Sequence, residues 1–413
     1  MVKLLVVLAT LFLFLSSSVA DVLGLQGLRT LLFIGVVMGL LALAFARHPG
    51  IDPVDGRMTL LLVWLLSLTA LVDLDGRIDV FDFKVLLPIL VLLAGPAVAR
   101  GLGRTDPARL FYGLLAAYVL VSWLLLMTGA ASLAVRGYGR FLRYDVTGSL
   151  VAHASLCTIG VLLAVAAFRR GGHVLARLAQ VAVLSAAASM LLLAATRTVL
   201  VTFTLYAVLS LVAGPERESR TTRFLAAFLV AAAGFFAYSL FWNDAFLLRL
   251  TSSEQTDYTS GRGVSIQHWL EMVEGHPFGL GPGAVRELLA DGRPSLGGGS
   301  LLEWPHNEVV RFFVEGGVFG GLLILTLIGW VARRAVVAAR VESDPLRRTL
   351  MLAVAADLVA QCLLQNYLNG VYQATVLLLL FAATAAGARG ERPPASSPLL
   401  PVKRPGPLPQ PTT

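Results

Sequence analysis

The sequence predicts an all-α polytopic membrane protein: about twelve transmembrane helices and one large outward loop that carries short helices. Three observations predict it. Hydrophobic residues make up 57% of the 413-residue chain and charged residues 14%, with a mean hydropathy of +0.77, whereas a soluble domain carries about 25% charged residues. The apolar runs do not alternate and reach the roughly 17–25 residues that a helix needs to cross a bilayer, whereas barrel strands need only about 9–11. Finally, the basic residues gather in every second loop between the runs. Hydrocarbon offers no partner to an open backbone, so runs of this kind must fold as helices.

The candidate spans are 4–20, 28–46, 58–74, 83–99, 110–128, 150–168, 175–195, 197–213, 223–242, 309–332, 347–364 and 371–387. If Lys3 is cytoplasmic, the same side receives Arg100, Arg104, Arg109, Arg169, Arg170, Arg177, Arg333, Arg334, Arg340, Arg347 and Arg348, and most of the 33 basic residues overall. Cytoplasmic loops are the ones that carry excess Lys and Arg, so the pattern orients the chain. The opposite hairpin, 73–83, is acidic, with Asp73, Asp75, Asp79 and Asp82. This distribution also turns the net charge of +8 away from nucleic acid and toward a membrane surface.

Four regions follow: helices 1–9 over 1–242, an outward loop domain over 243–308, helices 10–12 over 309–387, and a Pro-rich tail over 388–413 expected to be disordered in the cytoplasm. Met1-Val2-Lys3, an apolar run and Ser18-Val19-Ala20 also fit a cleaved signal peptide. An uncleaved first helix is the favoured reading, because the following segment re-enters the membrane at once. Cys157 and Cys362 fall inside apolar helices and read as small buried hydrophobes.

The outward arginines break the charge rule and are therefore informative. Arg197 stands in Thr196-Arg197-Thr198, a very short junction between two helices, and Arg262 opens a helix-compatible stretch. Ile266, Trp269, Leu270 and Val273 form one apolar face of that stretch, suited to the membrane interface. A guanidinium fork binds phosphate bidentately. Snorkelling to lipid headgroups is the alternative for any single arginine. Arg136, Arg140 and Arg143 lie in the loop after the fifth span.

Trp304-Pro305-His306-Asn307 precedes the tenth span, with Pro305 expected in the first helical turn and the positive helix end open to an anion. A histidine titrates near neutrality and can take a proton, but one hydrogen-bonded at a helix start is an equally good reading. Glu308, Arg311 and Glu315 share a helix face and read as a structural ion pair. Gly316, Gly317, Gly320 and Gly321 suit close helix packing. Glu303, Asp257 and Asp291 are lone loop carboxylates, and no metal site or cofactor is expected. Gly279-Leu280-Gly281-Pro282-Gly283 follows no strand and reads as a turn. A transporter would need ionisable groups near mid-membrane, and Asp357 alone is so placed.

His306-Asn307, nine residues, Gly317, two residues and Gly320 resemble the His-Asn-x9-Gly-x-x-Gly pattern of bacterial O-antigen ligases, a superfamily shared with O-antigen polymerases and pilin-type oligosaccharyltransferases. Thr196-Arg197-Thr198 is similar to the family's Ser-Arg junction, with threonine where serine is common, and Ser260-Gly261-Arg262 through Gly281 to its outer-loop signature. The resemblance implies a GT-C-like, metal-independent glycosyltransferase in the bacterial inner membrane with its active site facing the periplasm. It also implies an undecaprenyl-pyrophosphate-linked glycan as donor and lipid A–core as acceptor. The alternatives are a polysaccharide polymerase or a protein O-oligosaccharyltransferase. By the same resemblance His306 is the base, Arg197 and Arg262 hold the pyrophosphate, and Arg140, Arg143 and Asn307 are secondary candidates.

Overall fold

The computed structural model describes residues 1–14, 26–47, 53–71, 80–128, 135–138, 141–144, 149–194, 196, 198–214, 262–290, 295–296, 300–301, 305–365, 368 and 371–390. The first eight helices are α1 (Val2–Phe14), α2 (Gln26–Arg47), α3 (Pro53–Leu71), α4 (Val80–Leu102), α5 (Pro107–Met127), α6 (Leu150–Arg170), α7 (Val174–Ala194) and α8 (Thr198–Val212). Two short helices follow, α9 (Arg262–Met272) and α10 (Ala284–Ala290), and then the long α11 (Glu308–Val341), α12 (Pro345–Leu364) and α13 (Val371–Gly390). A helix stands at every expected span but the ninth, 223–242, which lies outside the described residues.

Among the described residues, 6 helices are long and apolar enough to cross a membrane: Leu28–Arg47, Pro107–Met127, Leu150–Arg170, Val174–Ala194, Glu308–Val341 and Val371–Ala388. Val2–Phe14, Gly56–Thr69, Leu86–Leu102 and Thr198–Val212 are apolar but shorter. At 1.5 Å per residue, α8, with 15 residues, falls short of a hydrocarbon core about 30 Å thick. The fold is thus polytopic and α-helical, while the count of twelve crossings goes further than helix length supports. Two antiparallel hairpins supplement the helices: β1 (Val135–Tyr138) with β2 (Phe141–Tyr144), and β3 (Ser295–Leu296) with β4 (Ser300–Leu301).

The helices sort into an inner and an outer set. Four-fifths of the most apolar stretches of α6 and α13 is buried, but only 28% of those of α2, α5 and α7. The outer faces present Leu31 and Leu32, Val121 and Leu124, and Leu175 and Leu178, side chains that lipid solvates as well as protein does. Inside, α13 packs along α4, where Gly95 meets the backbone of Ala382.

Charge marks one end of the bundle. Asp106 caps α5 by accepting from the Ala108 N–H at 2.9 Å, and Asp344 caps α12 through the Leu346 N–H at 2.8 Å. Arg347 reaches Asp106 at 3.2 Å, and Arg170 and Arg109 reach Asp344 at 3.4 and 3.7 Å. Arg348 and Arg340 donate to the Gly214 and Val212 carbonyls closing α8. The loops after α4, α6, α8 and α11 therefore meet at one end, the grouping that the basic-residue count assigned to a single side.

Asp357 is buried in α12 but has polar neighbours. The Ser155 hydroxyl of α6 donates to Oδ2 at 2.6 Å, and Gln361 Nε2 lies 2.8 and 2.9 Å from the two carboxylate oxygens. Gln373 of α13 donates to Ser155 Oγ at 2.7 Å. One carboxylate thus joins three helices by hydrogen bonds. Nearby, Tyr118 of α5 bonds His153 Nδ1 at 2.5 Å, and both cysteines are free and buried. Asp357→Ala orphans buried donors at about 1–3 kcal/mol apiece. Its thermal unfolding midpoint in detergent should fall well below wild type, with Asp357→Asn in between.

Candidate functional site

Helix α11 begins beneath Pro305-His306-Asn307. Asn307 is the N-cap: its backbone is extended (φ −153°, ψ 113°) and its Oδ1 accepts from the Val310 N–H at 3.1 Å. Pro305 consequently lies outside the helix rather than in its first turn. His306 adopts φ 45°, the one positive φ outside glycine among the described residues. For an L-residue this region costs of order 1–2 kcal/mol, although histidine enters it more readily than most. His306 is half-buried, so the fold holds a strained imidazole at the surface of the helix end.

The positive helix end is not left wholly to an incoming anion. Glu308, in the first turn, is completely buried (0% exposed) and its Oε2 lies 3.5 Å from Arg311 Nη1. Arg311 in turn lies 3.4 Å from Glu315, itself buried. This is the expected ion pair, with an addition that sequence spacing does not reveal: Glu308 Oε1 also accepts the Leu368 N–H at 2.7 Å, from the segment joining α12 to α13.

Ten residues past Asn307 the helix breaks. Gly317 has φ 56° and ψ −141°, a combination that essentially only glycine adopts. The break releases carbonyls that would have bonded one turn ahead, and the loop 277–281 takes them. The Leu280 and Gly281 N–H groups donate to the Val314 and Glu315 carbonyls at 2.8 and 3.0 Å, while the Val318 N–H donates to the Pro277 carbonyl at 3.0 Å. Gly279 (φ 84°) lies against the Gly317 backbone with no room for a Cβ. Gly316 presses on Thr69 of α3 and Gly320 on the Phe312 carbonyl. The glycines of the pattern thus serve a broken helix and its docked loop, besides close helix packing. The Gly-rich stretch is a turn, as expected, and its docking site is new.

Helix α9 is drawn in by the same dock. Trp269 (0% exposed) and Val273 pack with Val285 and Val314, so this face covers α11. Leu270 remains exposed and, with Ile266, Val273 and Phe313, lines a shallow groove rimmed by Gln267, Glu271 and Glu274. The expected apolar face is real, but its centre packs on protein rather than on the membrane interface.

Of the candidate site residues, His306 and Asn307 are described fully. Arg262 is the first residue of α9, and Arg143 sits on β2 opposite Arg136; the side chains of both lie outside the described residues, as do Arg197 and Arg140 entirely. The neighbours of Arg197 are visible: Thr196 and Thr198 are buried, and Thr198 Oγ1, at the start of α8, accepts from Gln365 Nε2 at 3.4 Å. Among the described residues, the loop that follows α9 is bonded to α11, and Gln365 at the end of α12 is bonded to Thr198. No group of three or more His, Cys, Asp or Glu side chains arranged for a metal occurs among the described residues.

The fold and this helix end define a multi-pass α-helical membrane protein built around a broken helix and a docked loop. Residues 180–325 match the family model described as O-antigen ligase, which runs from α7 through the arginine junction and the docked loop to just past Gly320 in α11. That stretch is similar to the O-antigen ligase family, whose members are ligases and polymerases of the glycosyltransferase kind. No curated protein matches the chain.

Gly317→Ala adds a Cβ against the Pro277 carbonyl and the Phe278 backbone in a conformation alanine resists. Amide hydrogen exchange at Leu280, Gly281 and Val318 should accelerate in this variant relative to wild type. Unchanged protection would show that the dock does not depend on the break.

Proposed function

We propose that the chain is an O-antigen ligase. It transfers an undecaprenyl-pyrophosphate-linked polysaccharide to a sugar hydroxyl of lipid A–core, at the periplasmic face of a bacterial inner membrane. Twelve crossings with both termini cytoplasmic complete the topology. The observation that supports this best is the strained, half-buried His306 leading α11 inside the segment matched to O-antigen ligase.

The reaction is a single displacement. The acceptor hydroxyl attacks the anomeric carbon from the face opposite the pyrophosphate, and His306 takes the hydroxyl proton. The new glycosidic C–O bond forms as the C–O bond to pyrophosphate breaks, so the configuration inverts. Undecaprenyl pyrophosphate departs with the bonding pair, and the imidazolium returns its proton to water. Arg197 and Arg262 meet the charge that develops on the leaving group. Guanidinium groups fixed at a membrane edge stabilise such charge without reorganising. Asn307 keeps the helix start in register by its cap, and Arg140 and Arg143 are secondary contacts for phosphate or acceptor.

A polymerase or a protein O-oligosaccharyltransferase would run the same displacement with a different acceptor. A lipopolysaccharide gel from cells lacking the chain separates them: loss of the whole ladder with accumulation of long lipid-linked glycan means ligase, and a single-repeat band means polymerase. A transporter finds little support, because Asp357 is already engaged by Ser155 and Gln361.

His306→Ala should lower transfer about 10²–10⁴-fold, the typical worth of a positioned base, while the protein still inserts. Full activity in that variant refutes the base. Arg262→Lys should be nearly as damaging as Arg262→Ala, because an ammonium does not reproduce the fork; normal turnover with lysine would remove the bidentate contact. Transfer should also survive EDTA. Loss on chelation would point instead to a bound cation, with Asp73 and Asp75 of the outward hairpin the first carboxylates to test.

A further inference from the structure

We infer that Glu308 and Gln365 are positioning residues that brace the base-bearing helix end against the arginine junction. The inference rests on the proposed roles of His306 and Arg197. The segment between α12 and α13 touches both sites, three residues apart. At Leu368 it donates its backbone N–H to Glu308 Oε1 at 2.7 Å, two residues from His306. At Gln365, the C-cap of α12, it donates Nε2 to Thr198 Oγ1 at 3.4 Å, next to Arg197.

Each anchor is built rather than incidental. Leu368 is 1% exposed and Glu308 0%, so their bond is made away from water, where an unmade partner costs most. Glu308 is itself held by Arg311, which Glu315 holds from the other side. Gln365 is set by its own N–H, bonded to the Gln361 carbonyl at 2.7 Å, and Gln361 bonds Asp357. Thr198 is buried at the first position of α8. The brace thus joins the helix that His306 leads, by way of Leu368 and Gln365, to Thr198, the residue after Arg197. Neither brace residue needs to touch substrate. Their effect is to hold base and phosphate clamp at a set separation, and a displacement of about 1 Å is enough to cost on the order of 100-fold in rate.

The test uses the purified full-length protein in lipid nanodiscs. The donor lipid that accumulates in cells lacking the chain serves as one substrate and purified lipid A–core as the other. Glu308→Ala should lower kcat about 10- to 100-fold at near-constant donor KM, and hydrogen exchange of the Leu368 amide should accelerate. Glu308→Gln keeps an oxygen for the Leu368 N–H and leaves Arg311 paired with Glu315, so it should recover most of kcat and the Leu368 protection. Gln365→Ala removes the other anchor without leaving a buried charge and should lower kcat in the same way. It carries the test if Glu308→Ala does not accumulate.

Wild-type kcat with fast Leu368 exchange in Glu308→Ala overturns the positioning role, as does unchanged exchange. A raised KM at constant kcat overturns it too, since Glu308 would then act in binding. Glu308→Gln as impaired in kcat as Glu308→Ala is a further refutation. If the wild-type protein transfers no glycan, the proposed function falls, while the Leu368 exchange measurement still decides whether the brace exists.

Discussion

The break in α11 governs how the end of the bundle that carries His306 is built. Within hydrocarbon no water is present to satisfy a peptide group that leaves its helix, so a helix can open there only where another backbone closes the gap. The chain supplies that backbone from 277–281, which exchanges three hydrogen bonds with residues 314, 315 and 318. The exchange pins α9 and α10 onto α11 and buries Trp269 against Val314. Without it, neither the break nor the placement of the outer helices would be stable.

Polar groups elsewhere follow the same accounting. Ser155, Asp357, Gln361 and Gln373 satisfy one another between α6, α12 and α13, and the ionic cluster of Asp106, Arg347, Asp344 and Arg170 closes the opposite end. Apolar packing discriminates poorly between protein and lipid partners in a membrane. Directional bonds of this kind therefore fix which helix faces which, and at what rotation.

Much of this was legible in the sequence, for identifiable reasons. Long apolar runs have one solution in a bilayer, so the helices were found at their places. Local spacing sufficed for the ion pair of Arg311 with Glu308 and Glu315, and for a helix start beside Asn307. The number of crossings was harder to read, because Thr198–Val212 is apolar enough for hydrocarbon yet short for it. The apolar stripe of α9 announced burial without naming the partner, and the partner proved to be α11. The dock of 277–281, the Leu368–Glu308 bond and the left-handed backbone of His306 depend on segments far apart in the chain, so no local pattern encodes them. The proposed convergence of Arg197 and Arg262 on His306 is of the same long-range kind, and rests on the resemblance of their motifs to a known family.

The docked loop also sets where this chain can change length. Pro277 to Gly281 is held at both ends of its span by backbone bonds to α11, so inserting or deleting one residue there would leave peptide groups unmatched at the helix break. Changes of chain length near the helix break should therefore spare the 277–281 turn.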